Sequence, residues 1–171
     1  MTDSIDKFFE EWAAQREKSG LPTLPEDAQY IYRIARMCKV LGERLDATCV
    51  RHDLTRSQFE AMAVLRRRHP EPLSAGDLME AAFLTSGSVT AMLNQLLDKG
   101  LVQRQTNKED KRRIEVLLTG EGMKKIESAI EERIQDNLAL ARLLPKGSRE
   151  DMNRLMRQCL VMVEALEEGK K

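Results

Sequence analysis

The chain lacks any excess of charge: 28 Lys and Arg stand against 28 Asp and Glu, so the net charge at pH 7 is zero. Bulk electrostatics therefore announces no nucleic-acid partner, and an argument for one has to come from local pattern. Long hydrophobic runs are missing too. No stretch approaches the roughly 18 apolar residues of a membrane span. The opening MTDSIDKFFEEW has no basic segment followed by an apolar core, so the expectation is a cytoplasmic protein with no membrane partner. Cysteine is limited to Cys38, Cys49 and Cys159. An odd number, widely spaced among apolar residues, suits reduced thiols rather than a disulfide framework. Aromatic residues make up only 4%. No Ser-His-Asp order, glycine-rich phosphate loop or carboxylate pair stands out, so no enzyme is expected. His52 and His69 have no Cys or carboxylate cluster at ligand spacing, so neither a metal nor a cofactor is expected.

What is present points to a folded, helix-rich protein, with 42% hydrophobic and 33% charged residues and 9 Gly and 5 Pro. That much apolar surface can offset chain entropy. A length of 171 residues fits one domain or one compact dimer-forming unit, with no room for a second catalytic domain.

Along the chain, Ile5, Phe8, Phe9 and Trp12 recur at helical spacing within Thr2 to Lys18, and SGLPTLP then reads as a connector. A long helix is predicted from about Pro25 to Arg51, carried by Ile31, Ile34, Ala35, Cys38, Leu41 and Leu45. Thr55-Arg-Ser-Gln58 is a capping box, in which hydroxyl and amide each satisfy an orphan backbone N–H, and a helix to about Arg68 follows. Ser74-Ala-Gly-Asp77 opens a shorter helix by the same logic, and a turn at Phe83 to Thr85 separates it from the next. That next helix spans about Ser86 to Lys99, with Val89, Leu93 and Leu96 as its apolar stripe and Gly100 as a left-handed C-cap. LVQRQT and RRIEVLLT read as strands around polar NKEDK, with Ile114, Val116 and Leu118 on one face. A long helix from Thr119 follows, and a last one is predicted to start at Ser148, as Ser-x-x-Asp.

Helix, helix, helix, strand, polar loop, strand, helix is the order of a winged helix-turn-helix, in which the second helix of the turn enters the DNA major groove. The fold class expected is thus mainly α: a winged helix-turn-helix with long N- and C-terminal dimerisation helices. With the stripe of the recognition helix inward, Ser86, Gly87, Ser88, Thr90, Ala91, Asn94 and Gln95 lie at its start or face out, small and polar enough to approach base edges. The segment 86–98 contains no Lys or Arg. Attraction to phosphate must come from Lys108, Lys111, Arg112, Arg113 and the helix N-terminus. Taken alone, that uncharged helix also fits a helical protein-interaction module on a winged scaffold, and Asp110 with Arg112 also fits a surface ion pair.

The stretch LSAGDLMEAAFLTSGSVTAMLNQLLDKGLVQRQ and the wing NKEDKRRIEVLLTGEG resemble the MarR family of winged-helix regulators. The resemblance runs from about Leu54 to Gly122 and more loosely through the terminal helices. Its most specific element is Asp110-Lys111-Arg112-Arg113 followed by Leu118-Thr119, which matches a D-x-R-R wing and an L-T-x-x-G helix start. The resemblance implies that Arg112 reaches into the minor groove, Asp110 orients it and Arg113 braces the hairpin. A guanidinium suits a narrow groove of high negative potential. It also implies a homodimer of interleaved terminal helices on a pseudo-palindromic duplex, with half-sites about 34–36 Å apart. The expected division is 1–53 for dimerisation and a possible pocket, 54–120 for DNA, and 121–171 for dimerisation.

A urate-responsive branch of that family has an additional N-terminal helix containing a Trp, as Trp12 does here. An acidic residue of that branch matches Glu60, while its recognition-helix Arg falls at Met92, which argues against urate itself. The effector expected is instead a small aromatic or anionic molecule, with Arg33 or Arg36 as its cation and Trp12 as either a ligand contact or a packing aromatic. Oxidation of Cys38, Cys49 or Cys159 is the rival switch. Cys38 and Cys159 fall on apolar stripes, which favours packing.

Overall fold

In the computed structural model, residues 2–22, 25–82, 86–107, 110, 112–169 are described, with side chains at 86–88 excepted. The chain divides into two compact units, Met1–Arg56 and Ser57–Lys171.

In the first unit, α1 (Ser4–Lys18) starts at a capping box: Asp3 accepts from the Ile5 and Asp6 amides, and Asp6 accepts from the Asp3 amide. A short 3₁₀ turn, Glu26–Ala28, leads into α2 (Gln29–Arg51). Arg33 on α2 donates to Asp3 at 2.7 Å and also pairs with Asp6. Hydrogen bonding to Arg33 holds the Asp3 carboxyl below the ordinary carboxylate value. Phe8, Phe9 and Tyr32 pack ring against ring across α1 and α2, with Phe9–Tyr32 edge-to-face at 5.2 Å. At the far end of the unit, Arg56 grips Asp46 through two 2.7 Å bonds and donates to the Gly42 carbonyl.

The second unit is built on α3 (Arg56–Arg68), β1 (Leu73–Ser74), α4 (Ala75–Ala81), α5 (Ser86–Asp98), β2 (Val102–Thr106), β3 (Ile114–Leu118), α6 (Gly120–Ala141) and α7 (Lys146–Glu168). Its antiparallel sheet has the order β1-β3-β2. The two-residue β1 has no sequence signal, because two residues cannot show alternation; only pairing of Leu73 with Val116 makes it a strand. The core gathers Ala61, Met62 and Leu65 of α3, Leu78 of α4, Leu93 and Leu96 of α5, Val116 of β3 and Ile126 of α6. Full burial of each leucine, isoleucine, valine or methionine among them contributes roughly 1.5–3 kcal/mol.

Two junctions set α5 against the β2–β3 hairpin. Gly100, at φ +67°, ends α5, and the Leu101 amide reaches back to the Leu96 carbonyl at 2.9 Å, the Schellman arrangement that a residue with a Cβ resists. Thr119 then caps α6. Its hydroxyl donates to the Gly100 carbonyl at 2.7 Å and accepts from the Gly122 amide at 3.0 Å. A Cβ on Gly122 would stand 1.8 Å from the Leu101 carbonyl oxygen, so only glycine lets α6 begin this close to the chain leaving α5.

Two expectations are corrected. The last helix starts at Lys146 rather than Ser148: the Arg149 amide bonds to the Pro145 carbonyl at 3.1 Å, so the first turn is already closed and Ser148 lies inside it. Ile114 does not share the inward face fully with Val116 and Leu118. It is 49% exposed, because it sits at the distal end of the hairpin, beyond the core.

Candidate DNA-recognition site

The turn element is framed by caps written locally in the sequence. The Ser74 hydroxyl accepts from the Asp77 amide, and the Asp77 carboxylate in turn accepts from the Ser74 hydroxyl at 2.6 Å and from its amide. The Ser74 hydroxyl is the chief reason the Asp77 carboxyl titrates below its ordinary value, with Arg113, at 3.5 Å, adding to the effect. The expected turn at Phe83, Leu84 and Thr85 lies outside the described residues, as do the side chains of Ser86, Gly87 and Ser88.

Along α5, Val89, Met92, Leu93 and Leu96 are buried, and Thr90, Ala91, Asn94 and Gln95 are exposed on the other side, as helical geometry requires. The apolar stripe is thus wider than the three residues read from spacing, and Met92, expected near an effector, is only 5% exposed. Gln58, expected as a capping side chain, is 1% exposed and donates to Gln95 at 2.9 Å. Arg104 on β2 donates to Asn94 at 2.8 Å. Sequence reasoning passed over Arg104, because nothing in the one-dimensional pattern pairs a strand residue with a helix residue ten positions earlier.

At the wing tip, Lys108 and Lys111 lie outside the described residues. Asp110 and Arg112 are described and exposed. The Asp110 carboxylate accepts from the Arg112 backbone amide at 2.9 Å, and the Asp110 amide donates to the Asn107 side chain at 2.8 Å. Asp110 therefore acts on Arg112 through the backbone of the turn, a tighter constraint than a flexible surface ion pair. Arg113 extends toward Asp77 at the start of α4, so its side chain ties wing to turn. At the base of the hairpin tip, the Asn107 amide donates to the Arg113 carbonyl at 2.9 Å, closing the strands.

The residues expected around an effector fall in both units. Trp12, Arg33 and Arg36 belong to the first, Glu60 and Met92 to the second. Trp12 is 41% exposed beside Phe8, Arg36 is exposed, and Glu60 is half-buried. Arg33 is committed to Asp3 and Asp6. The first unit also has an open groove of about 420 Å³ whose lining includes Asp6, Phe9, Glu10, Glu26 and Gln29 but not Trp12, Arg33 or Arg36. Cys49 is buried and Cys159 half-buried, whereas Cys38 is exposed despite its place on an apolar stripe. Among the described residues no group of His, Cys, Asp and Glu could hold a metal ion, and no helix is long and apolar enough to cross a membrane.

Residues 52–113, the segment that contains the turn, α5 and most of the wing, match the model of the MarR family. Among curated proteins, the uncharacterized HTH-type transcriptional regulator YdgJ of Bacillus subtilis is 33% identical over 108 residues, 63% of each chain. The HTH-type transcriptional regulator PecS of Dickeya dadantii is 23% identical over 77% of this chain and 78% of its own. The chain thus spans less than two thirds of YdgJ. Among solved structures, MepR, a transcription regulator of the Staphylococcus aureus multidrug efflux pump MepA, superposes with a TM-score of 0.70 at 22% identity, over 78% of this chain and 98% of that one. A cysteine-to-serine mutant of MarR from E. coli gives 0.67 at 24% identity, over 81% and 98%. The fold is that of a winged helix-turn-helix, and residues 52–113 are similar to the MarR family.

Proposed function

We propose that this chain is a sequence-specific DNA-binding transcriptional regulator of the cytoplasm, working as a homodimer and most simply as a repressor. The observation that carries this reading is the joint geometry of α5 and the wing within one packed unit. A helix with an exposed polar face of Thr90, Ala91, Asn94 and Gln95 is locked, through Gly100 and Thr119, to a hairpin whose tip holds Arg112 by its backbone. In this reading α5 enters the major groove and Arg112, assisted by Lys108 and Lys111, the adjacent minor groove. The relatives named above are regulators rather than enzymes, and the neighbour MepR has been crystallised with DNA.

The homodimer follows from what the terminal helices leave uncovered. None of the 23 residues of α7 is buried, and Leu155, Leu160, Val163 and Leu166 stand exposed along it. Such a continuous apolar face calls for a partner, and a second copy meets the need with the two-fold symmetry of a pseudo-palindromic operator. Residues 1–53 and 121–171 then serve dimerisation, and 54–120 serves DNA. A small aromatic or anionic effector, with Trp12 and Arg36 of the first unit as its candidate contacts, releases the DNA by favouring a dimer whose recognition helices no longer match the half-sites.

The deciding experiment is binding of Arg112→Ala to the DNA upstream of the protein's own coding sequence. The expected result is more than a tenfold loss of affinity, about 1.4 kcal/mol, with the dimer intact by sedimentation. Unchanged affinity would sink the minor-groove assignment.

A further inference from the structure

The outward face of α5 carries two neighbouring carboxamides, and each is engaged from within the protein. Arg104 Nη2 donates to Asn94 Oδ1 at 2.8 Å. A guanidinium has donors and no acceptor, so the atom of Asn94 that faces it must be the oxygen. The NH2 group is the half of Asn94 left for another molecule. Gln58, buried beneath the helix, donates its Nε2 to Gln95 Oε1 at 2.9 Å, which orients the second amide in the same sense. Turning Asn94 over would set two donors against each other, so Arg104 imposes one of the two faces the side chain could present.

Resting on the DNA-binding reading above, we infer that Arg104 is a positioning residue for base selection. By occupying the Asn94 oxygen it makes α5 a donor-presenting helix, which selects acceptor edges in the major groove. A free carboxamide suits adenine, because it accepts from N6 while donating to N7. With one of its two lone pairs given to Arg104, the Asn94 oxygen is the weaker half of that pairing and the NH2 the stronger. Guanine, with O6 and N7 both acceptors, gains most from an NH2 donor, and thymine O4 comes second. Cytosine offers only the N4 donor and is rejected. A charged donor on the oxygen also polarises the amide and strengthens its N–H groups as donors. This is how a helix with no Lys or Arg of its own reads bases with specificity: the cation stands on the neighbouring strand and sets the polarity of the reading group.

The test is selection of bound duplexes from a random DNA pool by the full-length protein, by Arg104→Met and by Asn94→Asp. Each is first checked for folding and dimerisation; both side chains are exposed, so neither change empties the core. The unaltered protein should select guanine or thymine, and exclude cytosine, at one fixed position of each half-site. Arg104→Met frees the amide to turn, and adenine should rise at least about threefold against guanine at that position alone. Asn94→Asp keeps a partner for Arg104 but replaces the donor with an acceptor, so preference should move about tenfold from guanine toward cytosine. Base preferences unchanged by Arg104→Met overturn the inference, including the case where all duplexes weaken equally and the salt slope falls by about one, which marks a phosphate contact. Absence of any selected sequence with the unaltered protein overturns the DNA-binding reading and this inference with it, so the two failures appear in different arms.

Discussion

Helices α5 and α7 lie in the same unit and carry the same kind of pattern, an apolar residue every three or four positions, yet their stripes meet opposite fates. On α5, Val89, Met92, Leu93 and Leu96 are all buried, while on α7 Leu155, Leu160, Val163 and Leu166 are all exposed. The difference is one of neighbours. The stripe of α5 is received by the core that α3, α4, the sheet and α6 build around it, so its burial is complete in one chain. The stripe of α7 has no such receiving surface within its unit, and its 23 residues present an open apolar face. Periodicity announces that a face will be buried; it does not say by what.

Breaking the stripe on α5 should have the largest effect. Leu96→Ala removes a fully buried side chain and should cost about 2–5 kcal/mol, measured by urea unfolding, with a loss that does not depend on protein concentration. A charge on α7 should act differently. Leu160→Glu is expected to weaken self-association at least about a hundredfold, about 2.7 kcal/mol, in sedimentation runs. It should also make the melting temperature independent of concentration, while the circular dichroism of the winged unit is retained. A variant that stays dimeric would show that α7 is covered in some other way. Smaller again is the effect of Gly122→Ala, which sets a Cβ against the Leu101 carbonyl and should cost about 1–3 kcal/mol in the urea unfolding assay.

The smallest effect belongs to the wing brace. Folding lowers the pKa of Asp77, chiefly through the Ser74 hydroxyl. A carboxyl with a depressed folded value stabilises fully above its unfolded value of 3.8 and loses that contribution as the pH falls through the lower, folded one. Asp77→Asn should therefore cost under about 1 kcal/mol at neutral pH and flatten the acid limb of the pH–stability curve. An acid limb as steep as in the unaltered protein would assign that limb to other carboxylates.

How much of this was legible follows the range of each interaction. The Ser74–Asp77 capping box, the Thr119 cap and the Gly100 terminus are closed by residues within a few positions of one another, and each stands where the pattern placed it. Ser148-x-x-Asp151 has the same letters, but Pro145 starts the helix earlier, since a residue without an amide proton suits the position before the first turn. The candidate site was legible as a face, Thr90 to Gln95, and as an Asp-x-Arg-Arg tip. It was not legible as a network: the Arg113 side chain reaches Asp77 of α4, and Arg104 and Gln58 act on α5 from other elements.

The sequence by itself determined which of the longer segments are helix and which are strand, where most of them begin and end, and that Thr90, Ala91, Asn94, Gln95, Asp110 and Arg112 face outward. Those choices depend on backbone caps, glycine conformations and periodicity, all settled within a turn or two of chain. Only the tertiary structure decided which amide of α5 is held by which donor, that Leu73 and Ser74 join the sheet, and which apolar stripes remain open on a single chain. Each of those depends on what arrives from a distant part of the sequence, and proximity in space is a property that no short window of residues contains.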